Sequence, residues 1–159
     1  MRTLLLSTFI LSGAPLIAAA AERLPLATAQ QLVAVAKQFA ESHQAPGGAI
    51  AIVDDGAHLV ALSRLDGSFP AATDVAIGKA TTAAMFRKPT SVFEDIVNKG
   101  RVTMLTLPAV TKFTPLQGGI PLTLNGEVIG AIGVSGAASA QQDEEIARAA
   151  ADSLVNPNK

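Results

Sequence analysis

The stretch Gly118 to Gly136 constrains this chain more than any other, because Asn125-Gly126 stands there between two apolar runs. A type I′ turn needs positive φ at both central residues, and Asn-Gly supplies it at least cost. A two-residue loop also fixes the register. The pattern predicts Leu124 opposite Glu127, Leu122 opposite Ile129 and Ile120 opposite Ala131. The second run, Val128 to Val134, is apolar on both faces, as befits a strand near the middle of a covered sheet. Gly130 and Gly133 interrupt it. A glycine inside a strand marks a bulge or a close approach by another backbone or by a ligand, and both close packing and a ligand contact stand here.

Around this hairpin the chain alternates helix and strand signals. Thr28 and Gln31 form a capping box, and Ala29, Leu32, Val33, Ala36, Phe39 and Ala40 recur at helical spacing until Pro46-Gly47-Gly48. His43 falls in the last turn of that helix, where a cation suits the dipole. Ala49 to Val53 reads as a buried strand, Asp54-Asp55-Gly56 as a turn, and His58 to Leu65 as the return strand. Ala72 to Arg87 reads as a second helix with Thr73 as its cap and a face of alanines. Ser91 and Glu94 cap a short helix, Val92–Lys99, closed by Gly100. Arg101 to Gln117, with Pro108 and Pro115, reads as a long loop with one strand near Val110–Phe113. Ser139 and Gln142 cap a last helix, and Asp143, Glu144 and Glu145 load its first turn with negative charge. This order predicts an α+β fold on a mainly antiparallel sheet.

Composition removes several chemistries. The 159 residues carry a net charge of −1, so no basic excess points to nucleic acid or a membrane surface. Cysteine is absent and there are only two histidines, which rules out a disulfide framework and a His- or Cys-rich metal site built from one chain. At the start, Arg2, the apolar run Leu4–Ile17 and Ala19-Ala20-Ala21 have the form of an export signal. Residues 1–21 are expected to be removed. Residues 22–159 then form a single domain in the periplasm or outside the cell.

The motifs together form a pattern. Val53-Asp54-Asp55-Gly56, Arg64-Leu65-Asp66-Gly67, Ala76-Ile77-Gly78-Lys79-Ala80, Arg87-Lys88-Pro89-Thr90-Ser91, Gly118-Gly119-Ile120-Pro121, Gly130-Ala131-Ile132-Gly133-Val134-Ser135-Gly136 and Gln142-Asp143 follow one another in order. In this the chain resembles the GlcG/HbpS family of haem-binding-type proteins over about Leu26 to Leu154. Two mild departures are Ser68, where alanine is more usual, and Ala149-Ala150, where an Ala-Gly pair is usual. The resemblance implies a profilin-like or PAS-like fold, with a five-stranded antiparallel sheet and helices on both faces. It implies dimers or larger homo-oligomers. It also implies haem as a cofactor in some exported members, with roles in haem degradation or in sensing redox state and iron; others sit beside glycolate or diol metabolism.

Carried onto this sequence, the ligand-binding candidates are Arg64, Asp66, Lys79, Thr90, Gly118 and Gly119. A threonine near a subunit contact is described as a haem-iron ligand within the family, and Thr90 is its positional match. His58 is the second axial candidate; as residues, Met85 and Met104 offer softer donors but are more often core fillers. The ordinary readings of these side chains are a solvated helix lysine at position 79, a surface histidine at 58 and a strand-end ion pair between Arg64 and Asp66. No G-x-S-x-G, H-E-x-x-H or phosphate loop is present. The expected function is exported binding of haem or another small ligand. The alternatives are an enzyme or accessory protein acting on a small hydroxy acid or aldehyde, with Lys79 and Asp66 as acid and base, and an oligomeric scaffold without a ligand.

Overall fold

A computed structural model describes residues 24–155. The export-signal expectation for residues 1–21 lies outside them. The elements are α1 (Leu26–Ser42), β1 (Ala49–Asp54), β2 (Leu59–Arg64), α2 (Ala72–Phe86), α3 (Ser91–Asn98), a 3-10 segment (Val102–Ala109), β3 (Gly119–Leu124), β4 (Glu127–Ser135) and α4 (Ala140–Val155). The strands form one antiparallel sheet in the order β2-β1-β4-β3.

The α+β class is as expected; the strand count is not. Among the described residues the sheet has four strands instead of five. The segment read as a strand near Val110–Phe113 pairs with no strand. Proline removes a ladder donor, and Pro108 sits inside the 3-10 segment that leads into it. The chain there is held by side chains instead. Thr114 N–H donates to Thr82 Oγ1 at 2.7 Å. Phe113 meets Phe86 and Phe93 edge to face, with ring centroids 5.3 and 5.4 Å away.

The Asn125-Gly126 turn forms with both residues at positive φ, and Leu124 faces Glu127 as expected. Beyond it the expected register fails. Leu122 faces Gly130 and Ile120 faces Ile132, because a bulge between Leu122 and Thr123 shifts the pairing by one residue.

The two faces of the sheet are filled differently. Ile50, Ile52, Ile120, Leu122, Ile132 and Val134 pack against Leu32, Ala36 and Ala40 of α1 and Ile146, Ala147 and Ala150 of α4. Each such Ile or Leu contributes about 1.5–3 kcal/mol of burial. The other face is almost all alanine. Ala49, Ala51, Val53 and Ala131 meet Ala72, Ala76, Ala80 and Ala83 of α2. Gly133 explains why: a Cβ there would lie 2.1 Å from the Ala76 carbonyl oxygen. Gly130 is on the α1 and α4 side, where a Cβ would lie 2.3 Å from the Val53 carbonyl oxygen and 3.2 Å from Leu24 Cδ2. Both glycines serve close backbone packing, which settles the question their sequence left open.

Helix ends follow backbone chemistry more than the expected caps. α1 begins two residues before Thr28, after Pro25, whose carbonyl accepts from Ala29 N–H. Thr73 lies inside α2, with Ala71 at the cap position. Ser91 lies inside α3, and Glu94 accepts from Gln117 N–H instead of closing a box. Two ends have the expected chemistry: Gly100, at φ +97°, follows Lys99 and closes α3, and Ser139 Oγ accepts from Gln142 N–H at 3.1 Å.

Candidate functional site

The end of the sheet where β3 starts and β4 stops gathers the residues that carry the chemistry. Lys79 leaves α2 on the alanine face and reaches Asp143 in the first turn of α4, which packs on the opposite face. Its Nζ donates to Asp143 Oδ2 at 2.8 Å and to the Val134 carbonyl at 2.9 Å. Both partners are buried, at 3% and 6% exposure. Asp143 Oδ1 accepts from Ala137 N–H at 2.9 Å. The aspartate thus fixes the lysine on one side and the β4–α4 turn on the other.

Gly118 makes this geometry possible. Its φ is +122°, and a Cβ there would lie 2.7 Å from the Val134 oxygen, 2.9 Å from Asp143 Cβ and 3.0 Å from Lys79 Nζ. Gly119 lies against the Lys79 backbone. Its N–H donates to Thr90 Oγ1 at 2.8 Å, and its carbonyl accepts from Thr90 N–H at 2.9 Å. Thr90 is fully buried at the start of α3, and its two hydrogen bonds tie that helix to the first residue of β3.

A hollow of about 320 Å³ opens in front of this cluster. Phe69, Val75, Leu116, Ala137 and Ala140 give it apolar walls, and Lys79, Asp143, Glu94, Ser135 and Ser139 supply its polar atoms. Phe69 and Leu116 remain 48% and 45% exposed, so apolar surface stands at the lip. Of the six ligand-binding candidates, the structure brings Lys79, Thr90, Gly118 and Gly119 together here, and only Lys79 lines the hollow.

Arg64 and Asp66 lie elsewhere. They line a second hollow, of about 380 Å³, with Lys37, Glu41 and Gly47. The Leu65–Phe69 turn separates the two, and Ser68 pins it. Ser68 Oγ accepts from Gly48 N–H at 2.9 Å, while its carbonyl accepts from Arg64 at 2.7 Å. The unusual serine therefore has a structural task. Arg64 and Asp66 do not form a salt bridge with each other; the guanidinium is turned to the turn backbone.

His58 is at the opposite end of the sheet, just before β2. Its side chain is 82% exposed and its Nδ1 lies 3.2 Å from Asp54 Oδ1. His43 stacks on Phe39 at 3.8 Å at the end of α1. Neither faces the hollow. Among the described residues no three His, Asp or Glu side chains converge as a metal site.

Sequence reasoning missed Asp143 as the partner of Lys79. As a first-turn acid it is explained by the helix dipole alone, although it stands inside the Gln142-Asp143 motif. The lip residues Phe69 and Leu116 carried no sequence signal, since each is a lone apolar residue in a loop.

A four-stranded antiparallel sheet flanked by helices, entered through Gly118-Gly119, defines the class. The chain belongs to the HbpS-like family of haem-degrading proteins, whose model matches residues 24–152. It is similar to GlcG of Escherichia coli, 46% identical over 86 residues. That match covers 54% of this chain and 62% of GlcG, so it spans less than two thirds of that relative. A double mutant of HbpS from Streptomyces reticuli has the same fold, with a TM-score of 0.77 and 29% identity over 93% of this chain and 98% of that one. A PduOC–haem complex is similar with a TM-score of 0.74 and 26% identity, over 82% of this chain and 94% of its own. None of the described helices is long and apolar enough to cross a membrane.

Proposed function

We propose that this protein is an exported binding protein for haem or a closely related flat tetrapyrrole. The hollow between Phe69 and Leu116 carries the reading, because it joins exposed apolar walls to a rigid polar floor. Ligand pockets of this kind are mostly apolar with a few fixed polar groups. Family membership and the likeness to a haem complex support the choice of ligand. Haem, when bound, supplies a redox-active iron and a broad apolar ring. Phe69 and Leu116 would cover ring surface, while Lys79, Thr90, Gly118 and Gly119 hold the floor in shape.

A volume of about 320 Å³ is an open half-site, and exposed Val102, Leu105 and Val110 on the neighbouring segment support closure by a second copy of the chain. Titration of the purified protein with hemin should give a shifted Soret band that saturates at fixed stoichiometry. A titration indistinguishable from buffer would end this reading. The mass of the protein recovered from the periplasm should correspond to a chain starting near Glu22.

One observation favours a second reading, an enzyme acting on a small hydroxy acid or aldehyde. A buried lysine–aspartate pair lining a hollow is suited to proton transfer. That reading requires turnover lost in Lys79→Met. Asp66, in the other hollow, has no part in it.

A further inference from the structure

Haem proteins usually grip iron through His, Cys, Met or Tyr. This chain has no cysteine or tyrosine, and its only histidines are His43 and His58. His43 is packed on Phe39, and His58 is at the far end of the sheet beside Asp54. Neither Met85 nor Met104 lines the hollow. Thr90 is fully buried behind the floor, with its hydroxyl accepting from Gly119 N–H. Among the described residues, no side chain that one copy places in the hollow is therefore a strong axial donor.

The propionate end fares no better. Among the described residues, the one cation lining the hollow is Lys79, whose charge is met by Asp143 at 2.8 Å, and Glu94 adds a further carboxylate. What remains for recognition is apolar: Phe69, Leu116 and Val75 against the ring. We infer that the hollow recognises the tetrapyrrole ring and not its metal, so that iron-free porphyrin binds as well as haem, with its carboxylates left in water. This rests on the reading of the hollow as a tetrapyrrole site.

The test compares hemin with iron-free protoporphyrin IX on the full-length mature protein. Hemin is followed by its Soret band and protoporphyrin by its fluorescence anisotropy, and each is then used to displace the other. The expected result is mutual displacement with dissociation constants within about tenfold of each other. His58→Ala should leave both constants unchanged, and Phe69→Asp or Leu116→Asp should weaken both together. Hemin binding more than about tenfold tighter than protoporphyrin, or an axial-ligand signature in its spectrum that is lost in His58→Ala or Thr90→Val, would overturn the inference and leave haem binding intact. Failure of both porphyrins to bind would overturn the proposed function itself, and the inference with it.

Discussion

Lys79 and Asp143 are each ordinary in the sequence and decisive in the structure. Removing one partner of a buried pair leaves an uncompensated charge and costs about 3–5 kcal/mol. Lys79→Met and Asp143→Asn are each expected to lose that much in urea unfolding. The double variant Lys79→Met/Asp143→Leu should recover a large part of it, because an apolar pair needs no desolvation. Thr90→Val tests the other half of the floor. It keeps the shape but leaves Gly119 N–H buried without an acceptor, at a cost of about 1–3 kcal/mol by the same measurement. Sequence reading names Lys79, Thr90, Gly118 and Gly119 as candidates through the family pattern, and the structure brings these four together, yet the Lys79–Asp143 partnership was invisible to it. The two residues lie 64 positions apart, and local rules explained each of them separately, as a solvated lysine and a helix-dipole acid.

Individual elements were legible where local chemistry dominates. The Asn125-Gly126 turn, the alanine face of α2 and the Ser139 cap follow from short-range rules. The β3–β4 register was lost beyond the first pair because Ile129 is the extra residue of a bulge, and Gly130 beside it fits a bulge and a close backbone approach equally well in the sequence. The segment 101–117 was misread in part because its order comes from distant contacts. A Cβ on Gly78, inside α2, would lie 2.4 Å from Thr114 Oγ1, so a helix glycine makes room for a loop threonine. Phe113 anchors the same segment through the Phe86–Phe93–Phe113 cluster. Truncating a buried Phe costs about 3–5 kcal/mol. Phe113→Ala should therefore accelerate hydrogen exchange in residues 101–117 and α3, while amides of β1 and β4 keep their protection order. Uniform acceleration across the sheet would show that the segment is not a separate unit.

At the scale of the molecule, the sheet divides two unlike cores. On the side of α1 and α4, large aliphatic side chains interlock; on the side of α2, methyl groups and bare backbone touch. Adding volume is predicted to hurt more on the second side than removing it does on the first. Ile50→Val should cost about 0.5–1.5 kcal/mol, and Ala76→Val about 1–3 kcal/mol or more, both read from chemical denaturation midpoints. The fold class was readable from element order, but the division of the core was not, because small side chains on a helix permit a close approach without naming whether the sheet or a second subunit makes it.

The glycine-seated contact of α2 also sets the mechanical character of the protein. A seam closed at the level of backbone atoms encloses little empty space. Under hydrostatic compression α2 should move with the sheet as a single body, and the shrinkage should be taken up across α1 and α4, where rotamers have room to change.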